Sequence, residues 1–113
     1  MPRDYKLYFE DILRSIERIE EYRKGITFSK LSESNLLLDA ILYNLQIIGE
    51  AAKHISDDVR KKHPDVEWRK IAGLRDIVAH EYFGISYEIV WDILQNILPP
   101  LHAAIKKILE ENP

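Results

Sequence analysis

Apolar side chains recur every three or four residues through the first part of the chain. They fall at Tyr5, Phe9, Ile12, Ile16 and Ile19. This is the spacing of one face of an amphipathic α-helix. Asp4 is a suitable N-cap and Gly25 a suitable C-terminal stop, so the pattern predicts a helix over residues 4–24.

After the short link Ile26-Thr27-Phe28, a second helix is predicted near residues 31–55. It is apolar over much of its circumference, at Leu36, Leu37, Leu38, Ile41, Leu42, Leu45, Ile47, Ile48 and Ile55. Such a helix is buried on more than one side, either inside the domain or at a subunit interface. Gly49, Ala51 and Ala52 would let another helix approach closely.

The second half of the chain predicts two more helices. Residues 57–64 read as a short helical turn that ends before Pro64, and a third helix follows over residues 67–80 with a core stripe of Ile71, Leu74 and Val78. Phe83-Gly84 marks a turn.

Ser86 is a good N-cap for the fourth helix, which extends to about Glu111 and which Pro99-Pro100 must kink or split. Its apolar positions are Ile89, Ile93, Ile97, Leu101, Ile105 and Ile108. We find no alternating strand pattern, repeat or linker. The sequence therefore predicts a single all-α domain over residues 1–113, an up-and-down bundle of four to five helices.

Composition narrows the class of protein. The chain has 113 residues, 46% of them hydrophobic and 31% charged, and it has no cysteine. We expect a cytoplasmic domain, because no signal peptide is visible and no apolar run approaches the roughly 20 residues that cross a bilayer. The histidines show no metal-ligand spacing, so we expect neither a metal nor a cofactor.

The net charge of −3 argues against a general nucleic-acid coat protein, but the charge is uneven. Residues 53–75 contain seven cationic and four acidic side chains, a balance of +3 that leaves −6 for the remainder. This segment would suit a phosphate backbone, and it would equally suit a solvated surface of mixed charge.

The segment Arg75-Asp76-Ile77-Val78-Ala79-His80-Glu81-Tyr82 brings together residues that could act on a phosphodiester. Arginine keeps its charge and suits a phosphate, and histidine titrates near neutral pH. On a straight helix Asp76 and His80 share a face with Arg69 and Gly73, so the carboxylate could orient the imidazole. Arg75 lies about 140° away from His80, and a two-fold dimer that pairs the third helices would bring two Arg/His sets into one cleft.

The pattern Arg75-x4-His80-x-Tyr82 resembles the signature of the HepT-like toxins of the HEPN superfamily. The resemblance extends to Ile48-Gly49-Glu50-Ala51-Ala52 in the second helix, to Gly73 just before the motif, and to the stretch 87–91 that opens the last helix. It covers nearly the whole chain and implies a HEPN-like helical bundle.

The resemblance implies a metal-independent endoribonuclease toxin of a type VII-like toxin–antitoxin pair, with its site in the cleft of a homodimer. His80 would move protons during attack by the ribose 2′-hydroxyl, Arg75 would bind the scissile phosphate, and Asp76 would support His80. The partners would be RNA and a minimal nucleotidyltransferase of the MntA type, which would attach AMP to Tyr82 and so block the RNase.

Other interpretations of these residues stay open. Arg75 could be a structural ion-pair residue, His80 a helix C-cap and Tyr82 a core residue, while Glu50 is either a partner for a motif arginine or a surface residue. Trp68 and Trp91 fit core or interface positions better than base-stacking platforms. The whole chain could also be a non-catalytic HEPN module that binds nucleotides or its nucleotidyltransferase partner.

Overall fold

A computed structural model describes residues 4–80 and 86–111, apart from the side chain of His80. The elements are α1 (Tyr5–Tyr22), α2 (Phe28–Glu33), α3 (Asn35–Lys53), α4 (Asp57–Lys62), α5 (Trp68–His80), α6 (Tyr87–Asp92), a π-helical turn (Ile93–Ile97) and α7 (Leu98–Glu111). Every regular element in these two ranges is helical, which confirms the all-α fold class. None of the described helices combines the length and apolar character that a membrane span requires.

The long helix α3 lies at the centre of the bundle. It packs against α1 on one side and against α5 on the other, and α1 also packs against α7. The short helix α2 contacts both α3 and α6. This central position explains why α3 is apolar over so much of its circumference.

The core stripes predicted for α1 and α5 are confirmed, whereas Ile89 of the pattern predicted for the last helix is exposed. In α1, Phe9 and Ile16 are fully buried, as are the two other isoleucines of the stripe, whereas Tyr5 at the start of the helix is exposed. The stripe of α5 is also buried, and it comprises Ile71, Leu74 and Val78. Helical periodicity alone therefore identified the faces of α1 and α5 that enter the core.

The predicted second helix begins at a different residue from the one expected. Phe28, assigned to a link, starts the separate helix α2, and α3 begins only after Ser34. Ser34 has extended backbone angles, and its hydroxyl accepts a hydrogen bond from the N–H of Leu37 at 3.1 Å. A serine that caps the following helix in this way ends the preceding one, so the run of residues 28–53 divides in two.

The interruption expected at Pro99-Pro100 lies just before the two prolines. Residues 93–97 form a π-helical turn, and α7 then starts at Leu98. The prolines thus occupy the first turn of α7, where a missing N–H is tolerated. The wider turn accommodates the two proline rings, which would otherwise clash with backbone carbonyls one turn earlier. Helix α6, the π-helical turn and α7 therefore follow one another without an intervening loop.

The predicted helix caps are also confirmed. The side chain of Asp4 accepts a hydrogen bond from the N–H of Lys6 at 3.0 Å, and Gly25 adopts a φ of 74° in the turn after α1. The Ser86 hydroxyl caps α6 and donates to the Glu88 carboxylate at 2.7 Å. This hydrogen bond lowers the pKa of Glu88.

Candidate active site

Helices α3 and α5 approach most closely where Gly49 faces Arg75. A Cβ atom at position 49 would lie 2.5 Å from the backbone nitrogen of Arg75 and 2.9 Å from its Cβ. Such separations are far inside van der Waals contact, so only glycine allows this approach. The expected close helix contact at the Gly-Glu-Ala-Ala segment is confirmed, and it brings the backbone of the motif arginine against α3.

The side chain of Arg75 pairs with the residue that follows this glycine. Its Nε lies 2.8 Å from Oε2 of Glu50, and the side chains are 38% and 44% exposed, respectively. Of the two interpretations of Glu50, partner of a motif arginine or surface residue, the structure supports the first. A half-exposed pair of this kind contributes little to stability, so its geometry is of more interest than its energy.

The carboxylate of Glu50 has a second partner just beyond the end of its own helix. Its Oε1 lies 3.1 Å from Nε2 of His54, the residue at the C-cap of α3. The imidazole of His54 in turn stacks on the ring of Tyr8 from α1, with centroids 5.4 Å apart and planes 14° from parallel. Arg75, Glu50, His54 and Tyr8 thus form a continuous row that crosses α5, α3 and α1.

Three residues of this row, Arg75, Glu50 and His54, line an open groove of about 570 Å³. The lining residues are Asp11, Tyr43, Gln46, Ile47, Glu50, Ala51, His54 and Arg75. Tyr43 is 60% exposed. The groove therefore combines the guanidinium of Arg75 and an exposed aromatic ring with the carboxylates of Asp11 and Glu50.

The other residues predicted for the site lie on α5 or beyond it. Asp76 is exposed on α5, and the backbone of His80 ends that helix. The side chain of His80 and the whole of Tyr82 lie outside the described part of the chain. The pairing of Asp76 with His80, and the distance between His80 and Arg75, therefore stay predictions.

The glycine of α5 differs from its expected role. Gly73 was predicted to admit close contact, but a Cβ built there would meet nothing within 4 Å. It lies on the half-exposed side of α5, away from the α3 contact. The close approach in this domain depends on Gly49, on the neighbouring helix.

The two tryptophans, the remaining candidate residues, pack against other aromatic side chains of the bundle. Trp68 is buried, packs near Phe9 and donates from Nε1 to the carbonyl of His63 at 3.0 Å, which confirms its prediction as a core anchor. Trp91 packs edge-on against Phe28. Within residues 4–79 and 86–111, no three potential metal ligands come together.

Sequence reasoning missed the contribution of His54. The signal was available, because Glu50 and His54 are spaced i,i+4 on one predicted helix. Tyr8 carries no comparable signal, since its contact with His54 depends on how α1 packs against α3. The row from Arg75 to Tyr8 could therefore be predicted only in part.

The described helices form an all-α bundle of the HEPN-like class, in which α5 packs against the Gly-Glu-Ala-Ala segment of α3. Residues 12–108 match the family described as "Ribonuclease HepT-like", and the chain belongs to this family. It is 40% identical over 104 residues to "Putative RNase TTE0752" of Caldanaerobacter subterraneus, covering 92% of this chain and 93% of that protein.

A second relative has a similar length. The chain is 36% identical over 108 residues to "Probable ribonuclease HepT" of Thermococcus cleftensis, covering 96% of this chain and 98% of that protein. No solved structure matches the chain significantly. The family and both of these relatives are thus named for ribonuclease activity.

Proposed function

We propose that this protein is a metal-independent endoribonuclease and the toxin of a toxin–antitoxin pair. In the proposed reaction the ribose 2′-oxygen attacks the adjacent phosphorus, the bond to the 5′-oxygen breaks, and a 2′,3′-cyclic phosphate and a 5′-hydroxyl result. The nucleophile belongs to the RNA, so the protein has to supply only proton transfer and charge stabilisation. The proposal rests mainly on membership of a ribonuclease family with the Arg75-x4-His80 pair intact.

Arg75 and His80 divide the chemistry between them in this proposal. His80 removes the proton from the 2′-hydroxyl or delivers one to the leaving 5′-oxygen, and an imidazole can do either near neutral pH. Arg75 binds the scissile phosphate and stabilises the charge that develops on its oxygens. Asp76, one helical turn before His80, orients the imidazole.

A homodimer would complete the site. On one straight helix, Arg75 and His80 are predicted to point about 140° apart. Two copies of α5 that face each other across a two-fold axis would bring two Arg/His sets into one cleft. The surface beside Arg75 supports this arrangement, because Tyr43 is largely exposed there and Ile47 is only partly buried. Apolar side chains beside a polar groove are typical of an interface that surrounds a site.

Regulation by a nucleotidyltransferase antitoxin is the second part of the proposal. The enzyme would transfer AMP from ATP to the hydroxyl of Tyr82, releasing pyrophosphate. Added phosphate near the motif would compete with RNA for Arg75 and obstruct the cleft. This part rests on the family signature, in which Tyr82 is the motif tyrosine.

The test is RNA cleavage in the presence of EDTA. Wild-type protein should cleave RNA and leave 2′,3′-cyclic phosphate ends, whereas His80→Ala should be inactive and an oligonucleotide with 2′-deoxyribose at the cleavage position should remain intact. Equal cleavage by His80→Ala and wild type would contradict the assignment of His80. Wild-type protein that binds RNA or nucleotides without cleaving RNA would instead indicate a non-catalytic HEPN module.

A further inference from the structure

We infer that Glu50 is the positioning residue for Arg75, and that His54 holds Glu50 in place. This inference rests on the proposed function, because it concerns how the arginine that binds the scissile phosphate is oriented. It adds Glu50 of α3 and His54, the C-cap of that helix, to a site otherwise assigned to α5.

The first observation concerns the nitrogen atom through which the Arg75 guanidinium contacts Glu50. The 2.8 Å contact is made by Nε, on the inner edge of the group. Among residues 4–79 and 86–111, Glu50 is the one carboxylate that pairs with the Arg75 guanidinium. An arginine held through Nε presents its outer edge to a ligand, and that edge matches the spacing of two phosphate oxygens.

The second observation is that the backbone of Arg75 is fixed by the same segment of α3. Gly49 packs directly on the backbone nitrogen and Cβ of Arg75, and Glu50 is the next residue. Two consecutive residues thus set the position of Arg75 at both ends of its side chain. A flexible arginine would otherwise lose rotamer freedom when it binds phosphate, and prior fixation reduces that cost.

The third observation is that Glu50 is itself held. Its other carboxylate oxygen contacts His54 at 3.1 Å, and the His54 ring is stacked on Tyr8. Each oxygen of the carboxylate therefore has one partner, which limits rotation about the last bond of the Glu50 side chain. Supporting contacts of this kind determine whether a functional group is close enough to its productive geometry.

The test compares RNA cleavage by wild type, Glu50→Ala, Glu50→Gln and Glu17→Ala. Glu50→Ala should lose roughly 10- to 100-fold in kcat, since misplacing a group that stabilises the transition state has effects of this size. Glu50→Gln keeps an oxygen that can accept from Nε and should recover most of that loss. KM should change less than kcat, because RNA contacts its protein at many phosphates.

Glu17→Ala is the matched control. Glu17 lies on α1, is similarly exposed and pairs with His102 at 3.3 Å, so its removal breaks a second Glu–His pair away from Arg75. This variant should cleave RNA as wild type does. An equal loss in Glu17→Ala and Glu50→Ala would show a general effect of surface charge and overturn the inference.

His54→Phe tests the outer part of the row. Phenylalanine can still stack on Tyr8 but cannot bond to Glu50, so kcat should fall between the wild-type and Glu50→Ala values. Wild-type kcat in His54→Phe would overturn the role of His54.

Two results would overturn the role of Glu50 itself. One is a wild-type kcat in Glu50→Ala. The other is tighter binding of a non-cleavable, fully 2′-deoxy oligonucleotide by Glu50→Ala, which would mean that Glu50 competes with phosphate for Arg75 and does not orient it.

An NMR measurement separates this inference from the proposed function. The Nε–H resonance of Arg75, assigned by its loss in Arg75→Lys, should shift in Glu50→Ala and stay in place in Glu17→Ala, whether or not the protein cleaves RNA. No shift in Glu50→Ala would overturn the inference. Absence of cleavage by wild type would overturn the proposed function.

Discussion

The Cα of Gly49 faces the backbone of Arg75 so closely that a methyl group at position 49 would lie 2.5 Å from the Arg75 nitrogen. This contact joins the centre of the bundle to the motif helix. A larger side chain there must push α5 away from α3, and Arg75 would move with the helix. The stability of the fold and the geometry of the candidate site thus depend on the same glycine.

Gly49→Ala should lower the free energy of unfolding by about 1–3 kcal/mol, as overpacking of a tight contact does. Gly73→Ala is the matched control, since a Cβ there meets nothing within 4 Å and its φ is not positive. That change should raise stability by about 0.5–1 kcal/mol, because alanine favours a helix interior over glycine. Urea unfolding followed by circular dichroism measures both. A harmless Gly49→Ala would contradict the observed approach of the helices.

Arg75→Ala should abolish RNA cleavage while helicity and oligomeric state stay unchanged, because the Arg75 side chain is half-exposed. Arg75→Lys should remain far below wild type, since an ammonium group cannot contact two phosphate oxygens in parallel. Cleavage assays with EDTA, run beside circular dichroism spectra, test both variants. If Arg75→Ala cleaves RNA normally, Arg75 serves only as the ion-pair partner of Glu50.

Asp76→Asn should reduce cleavage less than His80→Ala does. In the proposal Asp76 orients the imidazole and does not itself transfer the proton, so its loss leaves the chemistry possible but less efficient. Asp58→Asn on α4 is a suitable control, because it removes one exposed carboxylate away from α5. Cleavage rates for the three variants test the order. Complete inactivity of Asp76→Asn would require a more direct role for this carboxylate.

We predict a homodimer at micromolar concentration, measurable by light scattering. Tyr43→Glu places a charge among the apolar residues beside Arg75 and should shift the protein toward monomer with loss of cleavage. Tyr22→Glu, also at an exposed tyrosine but at the end of α1 remote from Tyr8, should remain dimeric. A monomeric wild type with full activity would rule out a site composed of two copies.

Tyr82→Phe should escape modification by the proposed nucleotidyltransferase partner. Wild-type protein incubated with that enzyme, ATP and Mg²⁺ should gain one or more AMP units and lose its RNase activity, because the added phosphates compete with RNA for Arg75. Intact-mass spectra of wild type and Tyr82→Phe measure whether AMP has been added to each protein. An unmodified wild type, or the same mass increase in Tyr82→Phe, would contradict the assignment of Tyr82.

Several features of the fold could be predicted from local patterns. Phe9 and Ile16 in α1, and Leu74 in α5, are buried as their helical spacing predicts. Helix caps at Asp4 and Ser86 were also recognisable, because a cap depends on a few consecutive residues. The division of residues 28–53 at Ser34 was missed because apolar residues continue on both sides and mask a single capping serine.

The candidate site was predictable as a motif but not as an arrangement. Arg75 and Glu50 could both be singled out, yet their pairing depends on how α5 lies across α3. Likewise, helix periodicity places Glu50 and His54 on one face but does not show that Tyr8 of α1 stacks there.

The sequence by itself determined which sides of α1 and α5 enter the core, because helical spacing follows from residues a few positions apart. The tertiary structure alone decided which glycine serves the close contact. Gly49 and Gly73 both lie in helices, but only Gly49 faces a neighbouring backbone. Helix rotation and crossing, which arise from packing between distant segments, make that distinction.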